Sequence, residues 1–286
     1  MFIRAQIQFC SAIVPYQAES AFTFIGFGTG MLIALVIALL SYRVKFLTRS
    51  GSVATFLLAG VIFGLGGVKW SVPILTFFIL SSILSKLRKK KNEEVELYFE
   101  KSGVRDHLQV MANGGIGGIL VILNALYPNE LFYLIYLSSL SAVCADTWAT
   151  EIGTWKRTAT YNILNMKPVE QGISGGISVV GTIGALMGSF AISISGIYWN
   201  DLPILSYVSL VIFAGMIGSF FDSFLGATLQ SQNKCNVCNK ITEREIHCGK
   251  EADYHRGVKW MNNDTVNFLS GIAGAAVILI LINFIK

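Results

Sequence analysis

The sequence predicts an all-α, polytopic membrane helix bundle of about eight transmembrane spans. Three observations carry that reading. Of 286 residues, 53% are hydrophobic and only 14% charged, with a mean hydropathy of +0.59, outside the range of ordinary soluble domains. Apolar runs near twenty residues, enough to cross a hydrocarbon core, recur along the chain. The longest polar segments, Lys86 to Asp106 and Ser231 to Asn263, are too short to bury a core of their own. Residues 1–286 therefore read as a single integral membrane domain, with 231–263 as one of its loops.

In chain order, Met1 to Ser20 carries one Arg and an apolar run broken around Pro15. That is a poor cleavable signal and reads as a short interfacial segment. Spans follow at Ala21 to Leu40, Ser52 to Val68, Val72 to Leu84, Leu108 to Leu126, Leu131 to Ala145, Gly176 to Ile197, Ile204 to Leu229 and Thr265 to Phe284. The third run is short and suggests a steep or re-entrant helix. Cations set the orientation: nineteen of twenty-two Lys and Arg fall after spans one, three, five and seven, and only Arg4, Lys69 and Lys286 on the other side. By the positive-inside rule both termini face outward and the polar motifs lie in cytoplasmic loops. The net charge of +5 is ordinary for that topology and gives no sign of a nucleic-acid partner.

The unusual residues gather at helix ends on that face. Span four opens with Arg105, Asp106, His107 and Gln109, then Asn113-Gly114-Gly115; Gln109 and Asn113 share a helix face one turn apart. Span five closes on Asp146, with Glu151 beyond it; span six opens with Gln171-Gly172-Ile173-Ser174-Gly175-Gly176. Span seven runs into Asp222, and span eight starts at Asn262-Asn263-Asp264 with Asn267 one turn later. Carboxylates are costly near hydrocarbon and are kept there chiefly for a cation, a proton or a substrate. Gly114, Gly118, Gly181, Gly184 and Gly188 suit close helix packing, and Asn263 or Asp264 could cap the last helix.

Asp146 and Glu151, five residues apart, would point about 140° from one another on an unbroken helix. Their joint use requires the helix to end or unwind after Trp148. A Gly-Gly-Ile start and an Asp-Thr-Trp or Asp-Ser-Phe return recur in spans four to five and six to seven, suggesting paired hairpins around one cleft.

Carboxylates with Asn partners suit Mg²⁺, and glycine-rich helix starts suit phosphate. Arg105, Lys156, Arg157 and Lys167 are close enough in sequence to add charge for the same anions. These are the parts of phosphoryl transfer, although no Walker motif is present. Separately, Cys235-Asn-Val-Cys238 and His247-Cys248 share a short polar loop, a spacing that points to a four-ligand structural zinc site, with His255 as a substitute for His247. Cys10 and Cys144 read as packing residues.

The ordered segments His107 to Gly115, Ser141 to Gly153, Gly172 to Thr182, Asp222 to Gln230 and Asn263 to Asn267 resemble the integral membrane family that includes the phytyl-phosphate kinases. The Asp-Thr-Trp and Asp-Ser-Phe-Leu-Gly segments are also distantly similar to CTP-dependent polyprenol kinases and CDP-lipid synthases. The resemblance covers nearly the whole chain. It implies phosphorylation of a membrane-bound prenyl monophosphate to the diphosphate, with a nucleoside triphosphate as donor and CTP favoured.

On that footing Asp146, Asp222 and Asp264 hold magnesium and Glu151 assists as ligand or positions the acceptor. Arg105, Gln109, Asn113, Gly114, Gly115, Lys167, Ser174, Gly175, Gly176, Asn263 and Asn267 bind substrate phosphates, with the isoprenoid tail lying among spans four to eight. Apart from the resemblance, the spacing of Cys235, Cys238, His247 and Cys248 keeps its own expectation of a structural zinc. The expected setting is the cytoplasmic side of a prokaryotic cytoplasmic membrane. The other classes to separate are a transporter or flippase of an anionic lipid, which moves substrate without chemistry, and a CDP-lipid synthase, which releases pyrophosphate.

Overall fold

The computed structural model describes residues 24–92, 98–99 and 103–285. The N-terminal interfacial segment, the first residues of span one, Arg4, Cys10, Lys101 and Lys286 lie outside the described residues. Seven helices among those described are long and apolar enough to cross a membrane: α1 (Phe24–Arg43), α2 (Arg49–Lys91), α3 (His107–Leu126), α4 (Glu130–Gly153), α5 (Val179–Gly196), α6 (Ile204–Thr228) and α7 (Asn263–Ile285).

The second of them is two spans. As one straight rod, the 43 residues of α2 would run about 65 Å, twice a hydrocarbon core of roughly 30 Å. Gly67 breaks it, with φ 60° and ψ −156°, a backbone that costs a residue with a Cβ dearly. The chain reverses there. Leu58 and Ile74, about 24 Å apart along a straight helix, both reach Gly114, coming within 2.7 and 3.3 Å of where its Cβ would stand. Likewise, the Thr48 N–H at the start of α2 donates to the Arg105 carbonyl at 3.0 Å, while Arg105 Nη1 donates to Ser82 Oγ near its other end at 2.5 Å.

Eight spans result, as the hydropathy reading expects, with one correction. The third span is not short, because its helix continues through residues 68–91, carrying the cations from Lys86 onward as helical turns. Hydropathy loses a span where its charged end emerges; the backbone hydrogen bonding does not stop there.

Spans alternate in direction, so one face collects the end of α1, both ends of α2, the starts of α3, α5 and α7, and the ends of α4 and α6. On the opposite face Lys69 pairs with Glu130 at 2.5 Å. The bundle is built around α4, buried from Tyr133 to Ala145 along most of its length. Small residues let its neighbours close in: a Cβ on Gly184 would stand 2.6 Å from the Trp148 carbonyl, and one on Gly188 2.8 Å from that of Cys144. This is the packing role expected for those glycines.

Two connections fold into small antiparallel sheets that the sequence reading leaves as loops. Between α4 and α5 lie β1 (Thr160–Asn162), β2 (Pro168–Val169) and β3 (Gly176–Ile177), in the order β2-β1-β3. Between α6 and α7 lie β4 (Gln232–Lys234), β5 (Ile241–Thr242), β6 (Ile246–His247), β7 (Lys250–Glu251) and β8 (Asp253–Arg256), forming a β5-β4-β8 sheet and a β6-β7 hairpin. Strands of two to four residues are too short for alternation to register.

The proposed repeat fails at its glycines. Gly114-Gly115 lie inside α3, whereas Gly175, in a turn with φ +82°, and Gly176, which opens β3, precede α5. A Cβ on Gly175 would stand 2.5 Å from the Ala227 backbone, so this turn is pinned against the end of α6.

Candidate active site

The gathered helix ends surround a cavity of about 210 Å³. It is lined by Arg105, Gln109 and Asn113 of the α3 entrance, Asp146 and Glu151 of α4, and Ser174, Gly175 and Gly176 before α5. Asp222 of α6 and Asn263 and Asn267 of α7 line it as well.

Asp146 and Asp222 stand with their carboxyl groups in hydrogen-bonding contact. The approach has a cause one turn earlier on each helix, where Gly218 faces Ala142 so closely that a Cβ on the glycine would collide with the alanine side chain. Asp222 is buried, and its Oδ2 has no hydrogen-bond partner among the described residues; the same holds for the buried Gln109 Oε1 and Asn113 Oδ1. Two adjacent carboxylates cannot both stay ionised unless a cation compensates them. The donor set, carboxylate and amide oxygens, is the hard oxygen chemistry of Mg²⁺, so these residues fit that ion.

Glu151 departs from its expected role. Helix α4 runs unbroken to Gly153, so the unwinding that joint use with Asp146 requires does not occur. Instead Glu151 turns to α2, accepting from Ser85 Oγ at 2.6 Å through Oε1 and from Arg88 Nε at 2.7 Å through Oε2. A carboxylate so neutralised is a helix clamp rather than a metal ligand.

Other expected residues fall outside the cavity lining. Gly114 packs against Leu58 and Ile74, Gly115 has only Met111 near it, and Lys167 is exposed on the turn between β1 and β2. Asp264 is buried in the first turn of α7 without reaching the cavity lining. Neither it nor Asn263 caps α7; Asn262 does, its Oδ1 accepting from the Thr265 N–H at 3.1 Å. Lys156 and Arg157 are also exposed, leaving Arg105 as the cavity cation among the four expected.

Sequence reasoning missed Glu243. It lines the cavity and accepts through Oε1 from Ser174 Oγ at 2.7 Å and Gln230 Nε2 at 2.8 Å. Its charge reaches both Asp146 and Asp222. Arg88 was missed too, and Gln171, noted at the start of span six, was given no role; it ties the loop before α5 to the end of α4, donating to the Gly153 carbonyl at 2.7 Å. Nothing in a charged loop marks one Glu or Arg from its solvated neighbours.

A second, apolar groove of about 50 Å³ adjoins the cavity, lined by Ile37 of α1, Leu58, Phe63, Ile74 and Phe77 of α2, and Arg105, Gln109 and Asn113. The last three line both spaces. The groove that meets the polar site thus lies between α1, α2 and α3, so of the spans four to eight expected to hold the tail only span four, α3, borders it. Arg105, buried at the junction, stands 5.5 and 5.6 Å from the Phe77 and Phe78 ring centroids and forms no ion pair among the described residues.

In the α6–α7 loop the four expected ligands meet. Atoms of Cys235, Cys238, His247 and Cys248 all lie within 4.8 Å of one another, and exposed His255 in β8 is not among them.

Residues 32–275 match the family model described as integral membrane protein DUF92. Protein PGR of Arabidopsis thaliana is 29% identical over 264 residues, spanning 84% of this chain and 90% of that protein. An uncharacterized membrane protein of Methanocaldococcus jannaschii is 27% identical over 223 residues, 77% of this chain and 90% of its own. The chloroplastic protein VTE6 of Arabidopsis thaliana is 23% identical over 244 residues, 84% of this chain and 66% of that protein. No solved structure matches the chain.

Proposed function

The chain belongs to the DUF92 integral membrane family, the one its ordered motifs pointed to, and on that premise we propose that it is a kinase converting a membrane-bound prenyl monophosphate to its diphosphate. The donor is a nucleoside triphosphate, with CTP favoured by the likeness of the Asp146 and Asp222 segments to polyprenol kinases. The observation that carries the reading is the junction of two spaces: an aspartate pair in which the buried Asp222 Oδ2 has no partner among the described residues on one side, and an apolar groove on the other, meeting at Arg105, Gln109 and Asn113.

The isoprenoid tail fits the groove among Leu58, Phe63, Ile74 and Phe77. Its phosphate then meets Arg105, whose burial leaves a cation in want of an anion, and the starts of α3 and α5, whose dipoles favour negative charge. Asp146 and Asp222 would hold the magnesium, which when bound supplies charge neutralisation for the donor phosphates. An oxygen of the lipid phosphate forms a bond to the terminal phosphorus of the donor, the bond from that phosphorus to the bridging oxygen breaks, and the nucleoside diphosphate leaves with the electron pair. The acceptor oxygen is already ionised near neutral pH, so this chain positions and neutralises rather than removing a proton. The cation bias supports a cytoplasmic setting for this face.

Purified protein in detergent, given Mg²⁺, a panel of prenyl monophosphates and each labelled nucleotide, is expected to yield prenyl diphosphate and a nucleoside diphosphate. Release of pyrophosphate instead assigns a CDP-lipid synthase. Flux of lipid phosphate across sealed vesicles with no product in either assay assigns transport.

A further inference from the structure

We infer that Cys235, Cys238, His247 and Cys248 hold one structural zinc ion, and that the zinc-bound hairpin sets Glu243 in the cavity as a third carboxylate beside Asp146 and Asp222. The first half stands alone; the second rests on the aspartate pair being the metal end of the phosphoryl-transfer site.

The four ligand atoms lie within 4.8 Å of one another, a spacing compatible with one tetrahedral ion. With Zn–S near 2.3 Å and Zn–N near 2.0 Å, a tetrahedron separates sulfur from nitrogen by about 3.5 Å. Cys238 Sγ and Cys248 Sγ lie 3.6 and 3.2 Å from the same nitrogen, His247 Nδ1, and none of the three thiols is in a disulfide. Both turns are shaped for it. Asn239 and Cys248 hold φ values of 59° and 53°, costly for residues other than glycine, and the Val237 N–H points at Cys235 Sγ at 3.4 Å.

Among the described residues, the apolar side chains nearest the four ligands turn outward. Val237 is 52% exposed, Ile246 65% and Tyr254 48%, whereas Cys235 and His247 are buried. A segment this short with its apolar residues outside has no core unless an ion supplies one.

The connection to the cavity is one residue long. Cys235 follows β4, Cys238 sits in the turn, and β5 returns in register, with Lys234 opposite Ile241 and Asn233 opposite Thr242; Glu243 is the next residue. Its N–H donates to the Tyr98 carbonyl at 3.0 Å, and its carboxylate is held by Ser174 and Gln230. A hairpin anchored at its turn by zinc therefore delivers the side chain at its far end to the cavity.

Full-length protein purified in detergent is expected to carry one zinc per chain by mass spectrometry. Cobalt substitution should give the sulfur-to-metal charge-transfer absorption of a thiolate site. His247→Ala should lose the ion and His247→Cys keep it. Disulfides or metal-free thiols in the wild type overturn the site.

Binding of Mn²⁺ to the cavity, followed by electron paramagnetic resonance, tests the second half without turnover. Glu243→Gln, with its zinc retained, should weaken Mn²⁺ about tenfold, and chelator-stripped wild type should show the same loss, reversed by added zinc. Unchanged Mn²⁺ affinity in either overturns the positioning role. Absence of Mn²⁺ binding in the wild type instead sinks the aspartate pair as a metal site and with it the second half, leaving the zinc site standing.

Discussion

Two carboxylate sites on one helix line the same cavity and differ in what they lack. Glu151, buried on α4, has both oxygens filled by Ser85 and Arg88. Asp146, five residues earlier and about 140° around the helix, faces another acid, Asp222, whose buried Oδ2 has no partner. A protein that builds in the counterion gains a clamp between α2 and α4. One that brings two acids together without it accepts a local cost that only a bound cation or proton relieves, as expected of a functional site.

The largest test of that contrast exchanges the charges. Asp146→Asn and Asp222→Asn should each lower turnover by roughly a thousandfold, the scale of losing a charge-stabilising group in a transition state. They should leave detergent thermal stability unchanged or raised, since a like-charge contact is relieved. Wild-type turnover in both ends the metal assignment. Glu151→Gln should behave in the opposite sense, lowering stability first because the buried Glu151–Arg88 pair loses its acid, a loss of about 3–5 kcal/mol for such pairs. Arg88→Met combined with Glu151→Leu should recover most of that stability, measured by thermal shift. If Glu151→Gln abolishes turnover at unchanged stability, the two sites are not of different kinds.

The contrast also explains what the sequence could tell. Asp146 and Asp222 were legible because acids at the ends of apolar runs are rare and costly, and the eight spans because hydropathy needs no tertiary knowledge. Glu151 was legible as a site residue and misread in role, since its partner Arg88 stands 63 residues away in a run of four cations that reads as solvated. Glu243 was invisible for the same reason: only the β4–β5 pairing brings a loop acid to the aspartates. Gly67 carried a weak signal, a glycine pair before Lys69. The strands carried none, being shorter than one alternation.

A smaller effect separates the polar cavity from its apolar neighbour. Leu58→Trp, at the wall of the groove near Gly114, should shorten the space available to a tail. The ratio of kcat/KM for long over short prenyl phosphates should fall about tenfold, within the range a few methylenes are worth in an apolar pocket, with kcat on short acceptors little changed. An unchanged ratio means the tail lies elsewhere.

The smallest effect is expected at Lys167. Its side chain is exposed, and among the described residues its backbone alone is engaged: the carbonyl accepts from the Asn162 N–H at 2.9 Å, and its own N–H donates to Asn165 Oδ1 at 3.0 Å. Both bonds survive truncation, so Lys167→Ala should keep the β1–β2 turn. A solvated ammonium is screened within about 8 Å at physiological salt, so turnover and nucleotide KM should stay within about twofold of wild type. Arg105→Ala, by contrast, removes a buried cation from the junction of groove and cavity and should raise acceptor KM steeply. If Lys167→Ala raises nucleotide KM tenfold, and added salt erases the difference, the donor extends past the cavity rim onto the β1–β2 turn, and the site is larger than the walls that now define it.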